Sequence, residues 1–174
     1  SPGNDPYVLT VGAMRTLGTA NRGDDLITSY SSKGPTAIDH LVKPDLVAPG
    51  NQLASLQTMG AFFSQKYPAN GIALGDYTTF STNYSSPSYF RLSGTSMASA
   101  VASGAVALML DKDSKLTPDV VKARLMKTAS KSFPSYSTAT DPVTGTIYTS
   151  QYDLFTVGAG LLRGHLGLLL EQCR

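Results

Sequence analysis

The sequence predicts an α/β fold in which a parallel sheet packs against one central helix. Short β-rich runs at 7–13 and 45–48 each end in a Gly or Pro turn signal, as expected of buried parallel strands. A small-residue run at 98–110 carries no charge and predicts a helix buried on nearly all sides. The weak alternation of 142–155 around Thr144 and Gly145 predicts a C-terminal hairpin.

The remaining elements follow from local signals. The segments 26–31 and 89–92 predict short strands, the second leading to the central helix. Thr117 predicts an N-cap, and the apolar stripe after it predicts an amphipathic helix that ends near residue 129. Residues 51–90 are irregular and rich in Tyr, Ser and Thr, which fits either a polar surface excursion or a substrate-facing loop.

Composition excludes several classes of protein. The chain has 174 residues, one domain's worth, with 15% charged and 41% hydrophobic residues, so it is globular. Its net charge of +2 includes no basic cluster, which argues against nucleic-acid binding. No apolar run reaches the roughly 20 residues that span a bilayer, and no signal peptide is visible. Cys173 is the single cysteine, so no internal disulfide forms.

Ser96 falls where the central helix should begin. The first amides of a helix have no intrahelical acceptor, and the helix dipole is positive there. A hydroxyl at this point can attack a carbonyl while its own N–H stabilises the oxyanion that forms. The alternative is that Ser96 only caps the helix.

Five segments resemble the subtilisin-like serine peptidases, the subtilases of peptidase family S8. Residues 93–98, SGTSMA, are similar to the active-serine motif, and 1–13 resemble the segment just after the family's oxyanion-hole Asn. The other three segments also resemble landmarks of the family: YSSKGP at 30–35, KPDLVAPG at 43–50 and VGAGL at 157–161. The resemblance covers 1–160 and implies a partial subtilisin-like fold, the C-terminal part of a catalytic domain; 161–174 form an atypical apolar tail.

The resemblance implies that Ser96 is the catalytic nucleophile. The family's Asp and His motifs and its oxyanion Asn are not found in the sequence, so we expect the chain to be incomplete at its front. Ala100 stands where the family usually has Pro. His40 and His165 are interpreted as surface or packing residues rather than replacement bases, and Asp45 as a structural hydrogen-bonding residue.

Three functions remain open. The chain could be a truncated serine peptidase that acylates Ser96 once a base is supplied, a non-catalytic interaction module, or a recruited hydrolase of small esters or lactones, with or without a metal. The first and third imply a peptide or small-ester substrate, and the expected partners are a complementary N-terminal fragment or a second copy. No cofactor is required, but the resemblance implies a weak calcium site near Gly3 and Asp5 and an extracellular location.

Overall fold

The computed structural model describes residues 2–58, 60–77, 89–141 and 143–163. The chain forms two compact units: the larger is built from the residues up to Asn51 and from Gly94 onward, and the smaller from 52–93. Both contain a small sheet. The larger unit carries most of the segments that the sequence singled out.

A three-stranded sheet lies at the centre of the larger unit. It has the order β2-β1-β3, with strands β1 (Val11–Arg15), β2 (Leu26–Ile27) and β3 (Leu46–Pro49). Strands β1 and β3 are parallel, whereas β2 runs antiparallel to β1. Strands are therefore confirmed at all three predicted places, 7–13, 26–31 and 45–48, although β1 begins only at Val11 and β2 covers only Leu26 and Ile27.

Both faces of this sheet are covered. Val11 and Ala13 of β1 join the core that packs on two helices, α2 (Thr95–Lys112) and α3 (Pro118–Thr128). Met14 points away from that core, into a second cluster with Val47 and Leu161. Successive side chains of a strand point to opposite faces of the sheet, which explains why Val11 and Ala13 lie in one core and Met14 in the other. Because both faces are buried, the strands are continuous apolar runs in the sequence.

The prediction that the central helix is buried on nearly all sides is wrong. Within α2, only Ala98, Ala102 and Met109 are buried. Within 98–110, the exposed positions lie along the rest of its surface: Ser99, Ala100, Ser103, Gly104, Ala107, Leu108 and Leu110. Small residues permit close packing on every face, but the described part of the larger unit packs against only one side of the helix.

Helix α3 matches its prediction closely. Thr117 is the N-cap, and its side chain accepts a hydrogen bond from the N–H of Val120 at 3.4 Å. Val121 and Leu125 are buried in the core, while Val120, expected in the apolar stripe, is exposed. The cap and the apolar spacing were local signals, which is why they identified the helix.

The C-terminal region contains the predicted hairpin, with its first strand earlier than expected. Strands β7 (Tyr136–Thr140) and β8 (Ile147–Gln151) pair antiparallel around the turn at Thr144 and Gly145. Helix α4 (Leu154–Val157) follows. Leu161 and Leu162, at the start of the atypical tail, are buried. The tail from residue 164 onward lies outside the described residues.

The smaller unit is an antiparallel sheet with one short helix. Its strands are β4 (Leu53–Leu56), β5 (Gly71–Ile72) and β6 (Tyr89–Leu92), in the order β4-β6-β5, and α1 spans Phe62–Lys66. The predicted strand at 89–92 is confirmed. Most of the Tyr-rich segment before it lies outside the described residues. No helix in the described part of the chain is long and apolar enough to cross a membrane.

Candidate active site

Ser96 lies in the first turn of α2. The N-cap is Gly94, and the first bonds of the helix run from the N–H groups of Met97 and Ala98 to the Gly94 carbonyl, at 3.1 and 3.3 Å. The N–H of Ser96 precedes these bonded amides and belongs to the unpaired set at a helix start. This confirms the predicted place of Ser96 at the positive end of the helix dipole.

The end of β3 fixes the start of α2. The Gly94 N–H donates to the carbonyl of Gly50 at 2.8 Å, and the Tyr30 hydroxyl donates to the same oxygen at 3.0 Å. A Cβ on Gly50 would lie 2.7 Å from that of Ala13 and 2.9 Å from the Gly94 carbonyl oxygen, so a larger residue cannot fit without movement. Three landmarks of the sequence, 30–35, 43–50 and 93–98, thus meet at this point.

The side chain of Ser96 is exposed. Within the described ranges, no hydrogen bond joins its hydroxyl to another residue. His40 is also exposed, and its N–H donates to the Thr36 carbonyl at 3.2 Å. The Thr36 hydroxyl holds the pKa of neighbouring Asp39 below its usual value, and His40 contributes a smaller lowering. His165 lies outside the described residues, and His40 has no hydrogen bond to Ser96 among the described residues.

A cavity of about 530 Å³ adjoins the start of α2. Thr95, the residue before Ser96, lines it together with Gly12 of β1 and Ser32 and Ile38 of the loop before β3. Sequence reasoning gave no sign of this cavity, because its lining comes from five separate segments. The cavity is lined by Thr95 but not by Ser96.

Comparison with known proteins decides the family. The sequence model of the subtilase family matches residues 1–160. The serine protease AprX of Bacillus subtilis is 36% identical over 125 residues, which is 72% of this chain. The chain belongs to the subtilase family.

This subtilase chain matches only part of the length of each relative. The chain spans 25% of the length of AprX and 13% of the subtilisin-like protease SBT2.2 of Arabidopsis thaliana, which is 33% identical over 128 residues. Two solved structures, the CspB protease of Clostridium perfringens and fervidolysin of Fervidobacterium pennivorans, share the fold, with TM-scores of 0.56 and 0.58 at 22% identity. The two matches cover 95% and 97% of this chain, but only 27% of the CspB chain and 20% of the fervidolysin chain.

A buried charge cluster lies next to β3 of this subtilase. Both Lys43 and Lys122 bind Asp45, with Nζ–O distances of 2.8 and 3.0 Å, and the N–H of Thr10 donates to the same carboxylate at 2.6 Å. The two ammonium groups also donate to the Val8 carbonyl, at 3.1 and 3.0 Å. Asp45 thus has the structural role expected of it, whereas Lys122, 77 positions away, carried no sequence signal.

The residues of the predicted calcium site supply few ligands. The Gly3 carbonyl accepts the Thr10 hydroxyl at 2.6 Å, and the carboxylate of exposed Asp5 accepts the Tyr7 N–H at 2.8 Å. Calcium takes about six to eight oxygens, and the described residues contain no cluster of three His, Cys, Asp or Glu side chains that could hold a metal. Two oxygens that already accept hydrogen bonds are a poor fit for calcium, and the site stays a prediction.

Proposed function

We propose that Ser96 is the nucleophile of a subtilisin-like serine peptidase. The observation that carries the proposal is the position of Ser96: an exposed hydroxyl in the first turn of α2, with its own N–H unpaired at the positive end of that helix. Membership of the subtilase family supports the same role for Ser96. Its members AprX and SBT2.2 are named as a serine protease and a subtilisin-like protease.

The chemistry that this position supports is acyl transfer. Oγ of Ser96 forms a bond to the carbonyl carbon of the substrate and gives its proton to a base. The Ser96 N–H donates to the oxygen as it becomes negative, where a preorganised donor is most effective. The C–N bond then breaks, the amine leaves with the proton from the base, and water hydrolyses the acyl-serine ester.

A complementary segment is the proposed source of the base. The triad needs a His and an orienting carboxylate, and no described residue binds the Ser96 hydroxyl. The exposed small-residue face of α2, which includes Ser99 and Gly104, leaves room for close packing of another polypeptide segment. We infer that a fragment with the family's Asp and His motifs completes the site, and that the complete enzyme acts on polypeptides outside the cell.

A serine-directed probe tests the nucleophile. The chain and its Ser96→Ala variant are treated with a fluorophosphonate and assayed on a p-nitrophenyl ester and a peptide, with and without the upstream part of AprX. Ser99→Ala is the matched control, because Ser99 is an exposed serine on the same helix. We expect the wild-type chain and Ser99→Ala to be labelled and to hydrolyse the ester, and Ser96→Ala to do neither. We expect peptide hydrolysis only when the upstream segment is added.

Two other results would point to the alternative functions. Ester hydrolysis that survives in Ser96→Ala but stops with a chelator would indicate a metal-assisted hydrolase. Absence of labelling with and without the added segment would contradict the proposal and leave an interaction module.

The calcium prediction has its own test: calorimetric titration of the chain and of Asp5→Asn with calcium, since loss of binding in the variant would place the ion at this loop.

A further inference from the structure

Within the described part of the chain, the β7–β8 hairpin of the larger unit has no third strand. Both of its faces are open: Tyr136, Thr138 and Ile147 are exposed on one, and Ala139 and Tyr148 on the other. An edge strand presents a row of unpaired N–H and C=O groups that can pair with another strand. The arrangement therefore favours the addition of another strand at one of its edges.

The hydrogen-bond pattern shows which backbone groups face outward. The N–H of Asp141 donates to Thr146 and that of Tyr152 to Ser135, both at 2.9 Å. Bonded and non-bonded pairs alternate along an antiparallel ladder. In β8 the N–H and C=O groups of Ile147, Thr149 and Gln151 therefore point away from β7, and within the described residues none of them has a backbone partner.

The outer edge of β8 lacks the usual protection against pairing. Natural edge strands are blunted by Lys, by Pro or by a bulge. Strand β8 has none of these, and the only charge between Lys131 and Asp153 is Asp141, at the far end of the hairpin. The side chains of Ile147 and Tyr148 remain 66% and 58% exposed. The edge is thus uncharged.

We propose that β8 pairs with β8 of a second copy of this chain, antiparallel and centred on Thr149. An uncharged edge is complementary to itself, because two copies meet without charge repulsion and each offers a donor and an acceptor at every outward residue. In this register, Thr149 faces the partner's Thr149 and Ile147 faces the partner's Gln151. Tyr148 lies opposite the partner's Ser150, where a small residue leaves room for the ring.

The edge of β8 suits this pairing better than that of β7. A corresponding dimer through β7 would be centred on Thr138 and would place Ser137 opposite the partner's Ala139. That arrangement covers neither Ile147 nor Tyr148, the largest exposed apolar residues of β8. The β8 pairing requires nothing of Ser96, so it is independent of the proposed peptidase function.

Sedimentation of proline variants tests the pairing. Thr149→Pro removes an outward N–H of β8 without touching the hairpin's own ladder, and Thr138→Pro does the same on β7 as the matched control. We expect a wild-type dimer, a monomeric Thr149→Pro and a dimeric Thr138→Pro. A wild type that stays monomeric up to about 1 mM, the weak end of specific association, would overturn the proposal. So would a dimer that only Thr138→Pro dissociates.

Charge variants test the register even if proline unfolds the hairpin. Ile147→Lys with Gln151→Lys places like charges opposite each other in the dimer, whereas Ile147→Lys with Gln151→Glu places opposite charges together. We expect the first pair to raise the dimer dissociation constant by about tenfold or more and the second to keep the dimer. Equal dissociation constants for the two double variants, both folded by circular dichroism, would refute this register.

Discussion

The ammonium of Lys122 lies 3.0 Å from Oδ1 of Asp45, which ties α3 to the start of β3. The other carboxylate oxygen of Asp45 binds Lys43 at 2.8 Å. Only 8% of the Asp45 side chain is exposed, so this cluster operates largely away from water. Two cations around one buried anion leave a net positive charge if the anion is removed.

We expect Asp45→Asn to lower the free energy of unfolding by about 3–5 kcal/mol, the range for a broken buried ion pair. The neutral amide leaves two ammonium groups without their counter-ion. Lys122→Ala should cost about 1 kcal/mol, because its side chain is partly exposed and Lys43 keeps Asp45 paired. Urea denaturation measures both, with exposed Lys115→Ala as the control. Equal losses for Asp45→Asn and Lys115→Ala would contradict the structural role.

Local signals predicted much of this architecture. Thr117 identified the start of α3 because caps act within one turn, and the apolar runs identified β1 and β3. The place of Ser96 followed from the predicted start of the small-residue helix. The resemblance to the subtilases rested on the five motif segments, the serine motif among them.

The rest depended on contacts distant in sequence. The Lys122–Asp45 pair joins residues 77 positions apart, and nothing near Lys122 distinguishes it from a solvated lysine. The composition of α2 permits burial on every side without specifying which segment packs there. In the hairpin, β7 lies outside the range that was predicted, because Tyr, Ser and Thr on two exposed faces give little hydropathy contrast.

Burial of Asp25 gives the stability of the protein a distinctive pH dependence. Burial raises its pKa above the usual value of 3.8, although Arg22 at 3.3 Å acts in the opposite direction. The folded chain then holds this proton to higher pH than the unfolded chain does. The contribution of Asp25 to stability is therefore full below pH 3.8 and is lost as the pH rises through the raised value.

We expect the wild-type free energy of unfolding, minus that of Asp25→Asn, to fall as pH rises from about 3 to about 7. Urea denaturation at several pH values measures it. Asp141→Asn should show the opposite slope, because the Val143 N–H holds the pKa of Asp141 below its usual value. A difference for Asp25→Asn that is constant or rises with pH would rule out the burial effect.

The hydroxyl of Tyr152 caps the edge of β2. It accepts a hydrogen bond from the N–H of buried Ile27 at 2.7 Å. Tyr152→Phe keeps the ring against Phe133 but leaves that N–H without an acceptor, so we expect a loss of about 1–3 kcal/mol in the free energy of unfolding. Tyr136→Phe, which removes an exposed hydroxyl, is the control and should change stability by less than about 0.5 kcal/mol. Equal effects would contradict the role of the Tyr152 hydroxyl.

Gly158 allows the chain after α4 to approach the start of β3. It has φ of 57°, and an added Cβ would collide with the Pro44 carbonyl oxygen and lie 2.5 Å from that of Asp45. Gly18 has a similar φ of 72° but nothing within 4 Å of an added Cβ. Gly18→Ala therefore measures the backbone cost alone, which we expect to be about 1–2 kcal/mol.

Gly158→Ala adds the collision to that backbone cost and should exceed about 4 kcal/mol, because its neighbours are main-chain atoms that no side-chain rotation can move. Thermal and urea unfolding of the two variants give the comparison. If both lost the same stability, the contact between Gly158 and the start of β3 would be looser in solution than the structure shows. A much larger loss for Gly158→Ala would identify close backbone packing, rather than φ alone, as the reason that glycine occupies this position.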